Sequence, residues 1–115
     1  MREELINKLQ NTFPKFFCNH YALPTTSDGW FVILWEMCNK IKALNPSDNF
    51  ELTQIKEKFG TLRVYSYCST DIIQDVILDA EIKSSTTCEE CGQPGKLRNG
   101  SWLRTLCDLH KKEYK

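Results

Sequence analysis

No apolar run in this sequence approaches the roughly 20 residues that a membrane-spanning helix needs, and no apolar signal segment opens it. A membrane partner is therefore not expected. Net charge is missing too, because 15 basic and 15 acidic side chains cancel. A neutral total argues against a protein that grips nucleic acid by bulk charge and leaves only local patches for that purpose. Internal repeats and low-complexity tracts are absent. The 115 residues suit one domain with a modest core, or one domain carrying a small appended module.

Histidine is the scarcest chemistry-bearing residue, at two. That scarcity weighs against catalysis. A zinc deaminase needs His-x-Glu ahead of Pro-Cys-x-x-Cys and an open metal position, and neither is present. A nuclease of the HNH type needs a catalytic histidine beside its zinc module and a second metal site, which His20 alone does not supply. Cys18 and His20, two residues apart, rarely meet as nucleophile and base. The chain is expected not to be an enzyme.

What the sequence does have is a metal pattern. Cys88 and Cys91 form one Cys-x-x-Cys pair, Cys107 and His110 form a second pair with the same gap, and fifteen residues separate them. That is the ligand spacing of a structural zinc site. Thiolates and imidazole suit a borderline-soft d¹⁰ ion, and four protein ligands close a tetrahedron with no position left for water or substrate. One structural Zn²⁺ is the expected cofactor. Cys91-Gly92 reads as a knuckle, and Cys107 as the start of a short helix. Asn99-Gly100 signals a two-residue hairpin turn, which would set Leu97 opposite Trp102 with Arg104 on the same face. Knuckle, hairpin and helix start together read as a treble-clef-like module.

Six cysteines are present, and three belong to this pattern. Cys18, Cys38 and Cys68 are an odd remainder, a poor disulfide framework, so a reduced cytoplasmic setting is expected.

The rest of the chain reads as α+β: helices packed on a small antiparallel hairpin, with residues 1–86 as this core and residues 87–115 as the zinc module packed against it. Leu5, Ile6, Leu9 and Phe13 mark a helix over 2–12 that Pro14 ends. Phe16, Phe17 and Tyr21 fit a loop pinned to the core better than a ligand-stacking loop or a second metal pair made by Cys18 and His20. A helix from Trp30 to Leu44 carries the stripe Trp30, Leu34, Met37, Cys38, Ile41, Leu44, with Ser27 or Asp28 as its cap and Asn45-Pro46 as its stop. Thr61–Tyr67 alternates as a strand. Residues 51–57 fit strand or helix; the strand is preferred, turning at Lys58-Phe59-Gly60 so that Ile55 pairs with Leu62 and Phe50 with Tyr67. Lys56, Lys58 and Arg63 then gather near the turn, where a solvated edge explains them better than a binding site. Asp71–Ser84 is a helix with Ile72, Ile73, Val76, Ile77 and Ala80 on one face and an Asp71/Gln74 capping box. Residues 84–87 read as a polar linker, and the tail 111–115 is too short to be an arm.

Three strings, residues 28–38, residues 55–65 and the stretch from Cys88 to His110, resemble a group of small, largely uncharacterised zinc-binding proteins of bacteriophages and bacteria. The resemblance covers roughly residues 28–110. It implies a phage-type accessory setting, in which the protein binds or inhibits a host, defence-related protein in the host cytoplasm. The residues themselves also allow an anionic partner, a nucleotide or nucleic acid. Arg98, Arg104 and Lys96 on the zinc hairpin are placed to pair with phosphate, Trp102 offers a stacking face, and Arg63 is their companion if the module packs against the sheet.

Overall fold

In the computed structural model, which describes residues 1–112, helices and two small antiparallel sheets follow one another as α+β. Residues 113–115 of the expected short tail lie outside the described residues. Helix α1 (Glu3–Thr12) buries Leu9, and Phe13 closes it. The segment after it lays Phe16 and Phe17 into the core, whereas Tyr21 is exposed at 79%. Tyr21 fails as a pin because a 3₁₀ turn over His20–Ala22 buries Ala22 instead.

Helix α2 (Phe31–Ala43) follows a 3₁₀ turn over Asp28–Trp30, and it has no side-chain cap. The expected caps are engaged elsewhere: Asp28 accepts from Arg2 and Ser27 donates to Glu90. The predicted stripe is buried from Trp30 to Ile41, but Leu44 is half-exposed because the helix has already ended.

Strands β1 (Glu51–Lys58) and β2 (Thr61–Tyr67) form the first sheet, which settles 51–57 as strand. The turn holds only Phe59 and Gly60, both at positive φ (54° and 86°), as a type I′ turn requires. Two turn residues in place of three change the register. Ile55 pairs with Val64 rather than Leu62, Lys56 with Arg63, and Glu51 rather than Phe50 with Tyr67, across an irregularity between Leu52 and Gln54.

Helix α3 (Asp71–Ser84) packs Ile73, Ile77 and Ala80 into the cluster that holds Leu52, Ile55, Leu62 and Val64. Ile72 is exposed, and Thr70 rather than Asp71 caps the helix by accepting from the Ile73 amide. With the true cap one residue earlier, Gln74 is free to donate to Ser66 Oγ.

A two-stranded sheet has two open edges, and here both are answered. Leu52 N donates to Phe16 O, and Thr25 N to Ile55 O, along β1. On β2, Leu62 N donates to Ser84 Oγ (2.9 Å) and Val64 N to Glu81 Oε2 (2.9 Å). Ser84 is fully buried, so it is a structural member of α3 and not the beginning of a loose linker. Ser84→Ala is expected to leave the Leu62 amide buried without an acceptor and to destabilise the chain by about 1–3 kcal/mol. Urea unfolding measures this, and a midpoint equal to the parent's would show that another acceptor reaches that amide.

Candidate metal centre

The C-terminal stretch begins with a knuckle. Cys88 O accepts from Gly92 N, and Cys88 N donates to Gln93 O, which brings Cys91 back beside Cys88. Strands β3 (Lys96–Arg98) and β4 (Arg104–Leu106) follow, and then the one-turn helix α4 (Asp108–Lys111). Cys107 caps α4, its Sγ accepting from His110 N, so both ligands of the second pair point back at the knuckle.

The four side chains meet. Their ligand atoms all lie within 4.8 Å of one another. Cys91 Sγ is 3.7 Å from Cys107 Sγ, and His110 Nδ1 is 3.6 Å from Cys88 Sγ and 3.2 Å from Cys107 Sγ. A disulfide would need about 2.05 Å between sulfurs. A tetrahedral site with metal–sulfur bonds of about 2.3 Å has sulfurs about 3.8 Å apart, so the donor set fits one ion. The Cys107 thiol is lowered to about 6, first by the His110 backbone N–H it accepts. The thiolate that a metal would take is thus already favoured there.

The hairpin between the pairs is not the one expected. Leu97 pairs with Thr105 and Arg98 with Arg104, which leaves residues 99–103 as the connection. Asn99 and Gly100 are not among the residues with positive φ, so they form no type I′ turn. Leu97 and Trp102 do not face each other across the ladder; both are exposed. The register is set from outside the hairpin. Thr105 is fully buried, and its Oγ1 donates to Gly60 O (2.7 Å) in the turn of the first sheet.

Two points of the core therefore hold the centre. At one, Gly60 lies under Leu97 and the Leu103–Arg104 backbone, and its carbonyl takes Thr105. At the other, Gly29 N donates to Glu89 O (2.7 Å), Trp30 Nε1 to Thr87 O (2.9 Å) and Ser27 N to Glu89 Oε2 (3.2 Å). Glu89 N in turn donates to Thr105 O. Gly29, Gly60, Glu89 and Thr105 are the residues that reading the sequence missed. The only signal for them was the pair of strings around Asp28-Gly29-Trp30 and Phe59-Gly60, whose spacing carries no chemistry of its own.

The candidate binding arginines are placed as follows. Arg104 reaches Glu90 at 2.5 Å and Glu89 at 3.4 Å, and its hydrogen bond holds the Glu90 carboxyl below its usual range. Arg98 pairs with Asp108 at 2.8 Å and donates to Leu106 O. Arg63 has no ion-pair partner among the described residues, and it stands opposite Lys56 on the first sheet. Because Glu89 is nearly buried, Arg104→Ala is expected to lower stability by about 1–3 kcal/mol in denaturant unfolding while metal content stays the same. A variant as stable as the parent would show that Glu89 needs no counter-charge.

The remaining cysteines are free. Burial pushes the Cys38 thiol up to about 12, which suits an inert core residue. Cys18 donates to Glu51 Oε2 (3.1 Å), and that hydrogen bond raises its pKa. No described helix is long and apolar enough to cross a membrane.

Comparisons with protein-family models, with curated proteins and with solved structures return no match, so the resemblance to the phage and bacterial group rests on its three strings.

Proposed function

We propose that this chain is a non-enzymatic binding protein whose C-terminal module is held by one structural zinc ion. The observation that carries the reading is the meeting of three sulfurs and one imidazole nitrogen within 4.8 Å. Three thiolates with one imidazole favour Zn²⁺ over the hard, oxygen-seeking cations. With four protein ligands the metal keeps no site for water or substrate, and its part is to hold the fold. Outside the centre, Cys18 is tied to Glu51 and the His20 ring rests edge-on against Tyr21, so neither supports the other as a nucleophile–base pair.

In this reading Arg98 and Arg104 are internal ties of the module, each answered by an acid. A host-protein partner follows from the resemblance alone. The anionic partner has an observation in its favour, the unanswered cations of the first sheet, which moves that role from the zinc hairpin to Arg63 and its neighbours. Elemental analysis of the purified chain tests the metal: one zinc per chain is expected, and Cys107→Ser should lose it. Equal zinc in the mutant would remove Cys107 from the site.

A further inference from the structure

The outer face of the first sheet gathers cations and aromatic rings. Residues directly opposite in an antiparallel pair share a face, and alternate residues along a strand return to it. Lys56 opposite Arg63, Lys58 opposite Thr61 and Gln54 opposite Tyr65 therefore form one surface, which Tyr67 extends. The other face of the same strands is the buried one that holds Ile55, Leu62 and Val64.

Three cations lie together on this outer face, and none has an ion-pair partner among the described residues. The nearby Glu57 does not answer them, because its carboxylate turns to accept from Gly60 N at 2.7 Å. Glu51 pairs with Tyr67 at the far end and is engaged by Cys18. Aromatic rings stand among the cations. Tyr65 and Tyr67 are 44% and 60% exposed, and Phe59 in the turn is 66% exposed. The Lys56 ammonium is 5.8 Å from the Tyr65 ring centre, and that of Lys58 is 5.5 Å from the Phe59 ring centre.

From this juxtaposition we infer that the outer face of β1 and β2 binds single-stranded nucleic acid, with Lys56, Lys58 and Arg63 on the phosphates and Tyr65 and Tyr67 stacking on bases. The inference rests on the reading of the chain as a binding protein and names the class of its partner. A group of cations flanked by exposed rings on one sheet face suits a strand that offers both phosphates and unstacked bases. An acidic peptide would answer the cations but leave the rings without flat partners. A duplex would offer phosphates but keep its bases stacked inside. Neutral total charge is no obstacle, because three local cations are enough for weak, salt-sensitive capture.

Fluorescein-labelled dT₁₅ and rU₁₅, a 15-base-pair duplex and a glutamate-rich peptide are the probes, read by anisotropy with the intact zinc-loaded chain. Single-stranded probes are expected to bind ahead of the other two. With three phosphates neutralised, log affinity should fall with log salt at a slope of about −2, or roughly 20-fold between 50 and 200 mM. Lys56→Glu and Arg63→Ala should each flatten that slope by at least about 0.7. Tyr67→Ala should weaken binding by about tenfold while melting as the parent does. Lys42→Ala, on α2, should bind as the parent. No binding at 50 mM salt, preference for the peptide or the duplex, or binding unchanged by all three face variants would each overturn the inference. Zinc is measured on the same samples. A zinc-loaded chain that binds no oligonucleotide ends this inference and leaves the metal reading standing, whereas a metal-free chain ends the metal reading itself.

Discussion

Chelating the metal is expected to unfold the C-terminal module and lower the melting temperature of the chain by more than about ten degrees. Beyond its attachments to the core, the module has almost no apolar interior of its own. Its own buried apolar cluster is Cys88, Leu106 and Cys107, and two of these belong to the candidate metal set. Strands β3 and β4 are three residues each and α4 is four, all too short to persist alone. Structural zinc in small modules contributes on the order of 10–16 kcal/mol, against about 5–15 kcal/mol for the stability of a typical domain. The ligands exist as a set only in the fold, so binding energy is folding energy. Losing it also releases Thr105 from Gly60 O and Thr87 O from Trp30 Nε1, exposing the core at both points of attachment. The larger cluster around Leu34, Ile55 and Ile77 remains, so two transitions are expected where the zinc-loaded chain shows one. Calorimetry with elemental analysis of the same samples reads this. A demetallated chain with the parent's melting curve would show that the four side chains are bystanders.

The cluster of Cys88, Cys91, Cys107 and His110 was legible in the sequence because ligand spacing is local chemistry: two residues between partners suffice for a knuckle or for one turn of helix. The helices and the strand Thr61–Tyr67 were legible for the same reason, each being a periodic pattern that its own residues complete. What failed depended on distant parts of the chain. Asn99-Gly100 has the composition of a tight hairpin turn, yet buried Thr105 must reach Gly60 O, and that hydrogen bond sets the strand register. The turn at Lys58-Phe59-Gly60 is one residue shorter than its composition suggested: Phe59 takes a positive φ, uncommon for a phenylalanine, which leaves its ring exposed and lets Gly60 meet the module. Ser27 and Asp28 have the chemistry of caps but bond to Glu90 and Arg2, distant in sequence. Arg98 and Arg104 read as free cations because nothing local shows that Asp108, Glu89 and Glu90 would answer them.

Gly29→Ala is expected to be the most damaging single substitution outside the metal ligands. A Cβ at position 29 would lie 2.2 Å from Cys88 O and 2.4 Å from Glu89 O, where unbonded atoms do not approach. The obstacle is backbone rather than the end of a flexible side chain, and it belongs to Cys88 and its neighbour, so it can move only if the centre or the Asp28–Trp30 turn moves. The 2.7 Å bond from Gly29 N to Glu89 O would break, and with it the nearby bond from Trp30 Nε1 to Thr87 O. A loss of about 4 kcal/mol is expected, in the range kept for disrupted cores, which for a domain of this size is roughly 15 °C in melting temperature. Gly60→Ala makes the instructive comparison. Its Cβ would meet Leu97 Cδ1 at 2.5 Å, a side-chain end that can swing away, leaving chiefly the strain of φ +86°, about 1–2 kcal/mol. Because Gly29 touches the module's backbone and not its sulfurs, the variant should still bind one zinc, but with a loosened module and altered Trp30 fluorescence. If Gly29→Ala melts within two or three degrees of the parent, the close approach of the Asp28–Trp30 turn to the knuckle does not hold the metal module to the core.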